Sequence, residues 1–142
     1  MLFRSWLRQP KEGVTHVAWE VGHLAVAQYG LALKRVRGEK STDVTLISPE
    51  FLRRYGKGSL PSPDPQENFA VQEIRDVADH VHTQVLTELA DFTDEQLAAP
   101  SEPRHPIFQT NLGALQWCAQ HEFIHAGQIA LLRRLFGADP LR

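Results

Sequence analysis

Three stretches of the chain carry apolar side chains at a period near 3.6 residues, and none of useful length alternates with a period of two. The first predicted helix covers residues 15–37, with Thr15 as N-cap and Gly38 as the residue that ends it. His16, Trp19, Val26, Ala27, Gly30 and Lys34 share the side of His23. Val17, Val21, Ala25 and Ala32 make the back of the same helix apolar too. A helix apolar nearly all round is covered by its own chain or by a second subunit, so a homodimer is expected.

The second helix opens at Asp64-Pro65-Gln66-Glu67, an acidic cap with Pro at the first helical position, and runs to about residue 90. Ile74, Val77, Val81, Val85 and Leu89 form its stripe, and His80 and His82, flanking Val81, belong at the surface. The third helix is capped by Thr110, continues to Phe136 and stops at Gly137. Between these lie shorter signals. Ser48-Pro49 starts a helix ending near Tyr55, residues 56–63 are irregular, and Thr93-Asp94-Glu95-Gln96 is a capping box before Pro100. Residues 2–8 make a helical stub before Pro10, and Val44-Thr45-Leu46-Ile47 is the best strand candidate but has no partner. The expected fold class is all-α, a helical bundle in a single domain spanning 1–142.

Composition narrows the function classes. A net charge of −2 with no long basic run argues against a broad nucleic-acid surface. One cysteine, Cys118, excludes an internal disulfide framework and fits a reducing cytoplasm. The N-terminus lacks the apolar run of a signal peptide, and no segment approaches the ~20 apolar residues that span a bilayer, so no membrane partner is expected.

The chemistry concentrates in His121-Glu122-Phe123-Ile124-His125. On a helix the two histidines lie about 40° apart, in the middle of a face shared with Ala114, Trp117, Cys118, Ile124, Gln128, Ile129, Leu132, Leu135 and Phe136. A buried neutral imidazole needs a partner at each ring nitrogen, and one divalent ion satisfies two histidines spaced i and i+4. The plainer alternative is a pair of core histidines bonded to polar neighbours, and the central position favours metal. A third ligand is expected from another helix of the bundle, and His23 is mid-helix on an apolar face. His16, near the start of that helix, reads as a capping or rim residue. The zinc-protease reading of His121-Glu-x-x-His125 fails. No Glu follows Glu122, Gly127 is one place early for the extended motif, and Leu131 stands where its last His belongs.

Trp19-Glu-Val-Gly22-His23-Leu24-Ala25 and His121-Glu-Phe-Ile-His125-Ala-Gly127-Gln128-Ile129 together resemble the DinB-like (DinB/YfiT) superfamily, over residues 9–137. The resemblance implies an up-down-down-up four-helix bundle, here with a shortened first helix and a long loop between the second and third. It implies one divalent metal, zinc or nickel, held by His23, His121 and His125. It further implies a metal-dependent enzyme, a thiol S-transferase or hydrolase acting on a small molecule, with a low-molecular-weight thiol such as bacillithiol or mycothiol as partner. A non-catalytic, stress-linked metal-binding module and a purely structural helical dimer are the alternatives.

Around the trio, Glu122 is the candidate catalytic base or a partner for an imidazole N–H. Glu20 has the same two readings beside His23, and both carboxylates also read as boundary residues; Cys118 reads as a small core hydrophobe, with a fourth ligand or reactive thiol as the alternative, and Gln128 as a group that could orient a ligand or substrate. Trp19 and Trp117 are expected as walls near the site.

Overall fold

The side chain of His16 begins the first long helix. Its Nδ1 accepts the Trp19 backbone N–H at 3.1 Å, so His16, not Thr15, is the N-cap of α1 (Val17–Gln28). The imidazole is fully buried because its other nitrogen, Nε2, donates to the Ser62 carbonyl at 2.8 Å. The computed structural model describes residues 6–140 of the chain. The N-terminal stub at residues 2–8 therefore falls mostly outside the described residues. Within them, Trp6 and Leu7 form a turn against the core, and Trp6 O accepts the Ala18 N–H.

α1 does not end at Gln28. It widens into a π-helix over Tyr29–Lys34 and closes with a last turn, α2 (Arg35–Arg37), before Gly38 at φ +80°. The sequence pattern predicts one uniform helix there, and the π turn is a departure from it. α1 packs against α4 (Pro49–Tyr55), α5 (Val71–Leu89) and α7 (Asn111–Leu135), which accounts for its apolar circumference within the chain. Small residues permit this crowding: Ala18, Gly22 and Ala25 are buried, and a Cβ on Gly22 would lie 2.5 Å from the Tyr55 ring.

The long connection, residues 39–64, contains two short helices. α3 (Asp43–Leu46) takes up the residues read as a possible strand, and Ser48 caps α4 with Pro49 at its first position, as expected. Phe51 and Tyr55, one turn apart on α4, point into the core beside Phe69. Each such fully buried side chain contributes roughly 1.5–3 kcal/mol relative to an exposed one.

The start of α5 is a correction. Asp64 caps only a 3₁₀ turn, Pro65–Glu67, and the helix begins seven residues later in the sequence, at Val71. Asn68 breaks the run because its side-chain amide donates to the carbonyls of Ser62 and Asp64, each at 2.8 Å. The Phe69 N–H donates to the Tyr55 hydroxyl, and the Phe69 ring is partly buried against the core. These contacts together outweigh a start signal of about 1 kcal/mol.

α6 (Asp94–Ala98) has the expected Thr93–Gln96 capping box. The loop after it is pinned by an isolated bridge between Pro100 and Thr110. Thr110 caps α7, and Gly137 at φ +85° follows its end. Among the described residues the protein is all-helical, with no strand, and no helix is long and apolar enough to cross a membrane.

Candidate metal centre

His23 projects from the middle of α1, and His121 and His125 project one turn apart from the middle of α7. Helix packing brings together residues almost a hundred positions apart in the chain. One ring nitrogen from each of the three lies within 4.8 Å of the other two. Nε2 of His121 and Nε2 of His125 are 3.1 Å apart. Two nitrogens bound at 2.0–2.1 Å to one tetrahedral ion lie about 3.3 Å apart, so this spacing suits a chelating pair.

The opposite edges of two rings are held. Nδ1 of His23 donates to the Tyr55 carbonyl at 2.8 Å. That carbonyl is available because Tyr55 is the last residue of α4, where helix carbonyls lose their internal donors. Nδ1 of His125 bonds the Glu20 carboxylate, which is only 2% exposed. Each bond fixes a tautomer in which Nε2 carries a lone pair, the form a metal ligand needs.

The surroundings favour the neutral forms of His23 and His121. Burial, then the neighbouring His125, lowers the pKa of His23, while the Tyr55 carbonyl acts the other way. Burial, followed by His125 and His23, pushes His121 down to about 4. A cation bound between the rings would be attracted to the Nε2 lone pairs of His23 and His125. The donor set, three imidazoles with no thiolate, fits a borderline divalent ion with one coordination position left open.

Trp19 lies flat on His23, with ring centroids 4.7 Å apart, and its indole N–H donates to Ser59 Oγ at 3.0 Å. Trp117 stands 6.1 Å from the His121 ring. Both tryptophans are walls of the site, as expected. Residues 56–63, read from sequence as an irregular connection, are tied to α1 through Ser59 and Ser62.

Other candidates stand apart from the three rings. Glu122 Oε1 accepts the Gln28 amide at 3.1 Å, and the same amide donates to His82 Nδ1 at 3.0 Å. His80 and His82 are exposed, as expected. Cys118 is buried, and burial together with Glu122 pushes its thiol up to about 12, in keeping with a small core residue. Gln128 is exposed, as are Ile124 and Leu135, so the apolar face predicted for α7 is only partly covered. The described elements packed on α7 lie on the side of α1 and its continuation, with α6 near the N-terminal end.

Glu20 is the residue that sequence reasoning undervalued. Its signal was present: with His16 and His23 it falls at i, i+4 and i+7 on one face of α1, between two residues that are both buried.

A family model described as the DinB superfamily matches residues 4–129. No curated protein and no solved structure matches the chain.

Proposed function

Since the chain belongs to the DinB superfamily, we propose that it is a metal-dependent enzyme of the thiol S-transferase or hydrolase type, with zinc or nickel held by His23, His121 and His125. The observation that carries this reading is the convergence of three ring nitrogens within 4.8 Å, two of the rings being oriented by bonds at their far side. A divalent ion held there supplies Lewis acidity and lowers the pKa of a water or thiol at its open position.

The chain's own residues supply orientation and exclusion. The Tyr55 carbonyl and Glu20 hold the rings of His23 and His125 in register. Trp19 covers the flat face of His23 and keeps water from that side. The Glu20 charge raises the basicity of His125 as a ligand. A low-molecular-weight thiol is the preferred second substrate, because a thiol delivered as thiolate is a nucleophile at neutral pH without a separate base. Glu122 is kept as the candidate base of a hydrolytic reaction. Glu122→Gln with turnover lost and metal content unchanged supports that role, and unchanged turnover removes it.

The test of the whole reading is chelation and reconstitution of tag-free protein. Stripping the metal abolishes turnover of a thiol-conjugation or hydrolysis substrate, and Zn²⁺ or Ni²⁺ restores it. Failure of both ions to restore activity defeats the enzymatic claim.

A further inference from the structure

The π-helical turn at Tyr29–Lys34 follows directly on the segment of α1 that carries His23. Such turns occur mostly as single interruptions of α-helices and often mark functional sites. Here the turn forms one wall of a groove of ≈ 790 Å³ whose opposite wall is the loop 102–107. His23 and His121 both line this groove. The volume lies within the range of small-molecule sites.

The walls are largely apolar. Leu31 and Trp117 line the groove, as does Ile107, a large apolar side chain left 55% exposed. Gly30 lines it too, and a Cβ built there meets no atom within 4 Å. The space in front of residue 30 is therefore open to a ligand rather than filled by packing.

The groove also carries an uneven charge. Lys34, Arg35 and Lys57 line it against a single carboxylate, Glu102. Two of these cations are engaged. Lys34 pairs with Glu39 at 2.7 Å, and Arg35 donates to Ser101 Oγ and the Pro103 carbonyl beside Glu102. Lys57, in the turn after α4, makes no ion pair among the described residues.

We propose that this groove seats the substrate and selects a small organic anion with an apolar body. The apolar part lies against Leu31, Ile107 and Trp117, the anionic group meets Lys57, and the far end reaches His23 and His121. Only the identity of that far end as the reacting end rests on the metal-centre reading. The preference for an anion on an apolar body does not.

Titration calorimetry with 4-phenylbutyrate, 4-phenylbutylammonium and acetate, on zinc-loaded and metal-stripped full-length protein, tests the proposal. Phenylbutyrate is expected to bind about tenfold or more tighter than either control, because neither control offers both the apolar and the anionic part. The same order is expected without metal. Gly30→Leu, which fills the open space, weakens phenylbutyrate by about tenfold while zinc content stays at the wild-type level. Lys57→Glu, at an exposed position, narrows the preference for the acid over the amine by roughly fivefold.

Equal binding of acid and amine, or indifference to both substitutions, overturns the proposal. If the histidines hold no zinc but the selectivity and its dependence on residues 30 and 57 persist, the metal reading fails and the groove assignment survives. If zinc binds and selectivity is absent, the reverse holds.

Discussion

Two polar clusters are buried against the first long helix, and they differ in what they leave unsatisfied. One surrounds Arg37, at the C-terminal end of that helix. All five of its N–H groups have acceptors: Asp43 and Glu88 each take two, and the Gly38 carbonyl takes one. Asp43 also accepts from Tyr29 and the Lys40 backbone, and Glu88 from Gln84 and Lys40. The other cluster is the histidine trio. Its outer bonds, to Tyr55 and Glu20, are made, while Nε2 of His121 and Nε2 of His125 have each other. A cluster closed in all its donors and acceptors is a structural joint. One that is braced outside and open inside has the arrangement of a group that could hold a metal ion.

The largest effect should come from breaking the open cluster. His125→Ala or His23→Ala is expected to abolish stoichiometric zinc at micromolar concentration, measured by elemental analysis after gel filtration. Removing either ligand leaves two nitrogens, too few for a three-ligand catalytic site. Both variants retaining one equivalent of metal would contradict the ligand assignment. The fold should survive, since neither residue belongs to the apolar cluster around Tyr55 and Leu33.

In the closed cluster the same kind of deletion should act on stability instead. Arg37→Leu leaves the nearly buried carboxylates of Asp43 and Glu88 without their shared cation. A loss of about 3–5 kcal/mol in urea unfolding is expected, with metal content per folded molecule unchanged. A loss below ~1 kcal/mol would show that the ion cluster is dispensable.

Acid titration separates the two clusters without a deletion. Burial alone would push both carboxyls up, but hydrogen bonds from Arg37, then from their other donors, overcome it and bring Asp43 and Glu88 to about 2. Their ordinary values are 3.8 and 4.5. A carboxyl whose pKa falls on folding stabilises the protein fully above its unfolded value, and the contribution disappears as pH drops toward the folded one. The stability gap between wild type and Asp43→Asn should therefore be constant above about pH 5 and shrink between about pH 4 and 2. A gap independent of pH across that window would mean the carboxylate charge is not what Arg37 reads.

How far these features were legible in the chain depends on how local their causes are. The Ser48-Pro49 start, the Thr93–Gln96 box and the glycines after Arg37 and Phe136 are set by neighbours within a few residues, and the pattern gives them directly. The spacing of His121 and His125 is likewise local. Glu20 is not, because its partner is 105 residues away in sequence. Nor is the true start of α5, where Asn68 and Phe69 answer to Ser62 and Tyr55 rather than to their own helix. The burial of His16 depends on a carbonyl in the connection that sequence reads as irregular. Arg37 carries no local signal of its role, because the fold supplies its two carboxylates.

A smaller perturbation tests how packing supports the open cluster. Gly22 lies under the Tyr55 ring, and the Tyr55 carbonyl holds His23. Gly22→Ala forces the ring aside, at an expected cost of about 1–3 kcal/mol in stability. It should also weaken zinc binding, because the acceptor of His23 moves with its residue. Loss of stability with unchanged zinc affinity would separate the Tyr55 ring from the carbonyl's positioning role.

The finest distinction concerns the charge, as opposed to the bond, at Glu20. Glu20→Gln keeps an oxygen able to accept the Nδ1–H of His125 and keeps the side-chain volume, but it removes a buried negative charge. If that charge strengthens His125 as a ligand, zinc affinity should fall by roughly tenfold, the lower end of what outer partners of metal-bound histidines contribute. The metal-free protein should be affected differently, because a carboxylate buried to 2% exposure with one imidazole partner is costly to desolvate. Its stability should stay level or rise. Competition titration against a chromophoric chelator, paired with urea unfolding of the stripped protein, measures both. Weaker zinc binding with undiminished stability identifies Glu20 as a residue kept for the metal. Equal loss of both places it beside Asp43 and Glu88, among the joints of the fold.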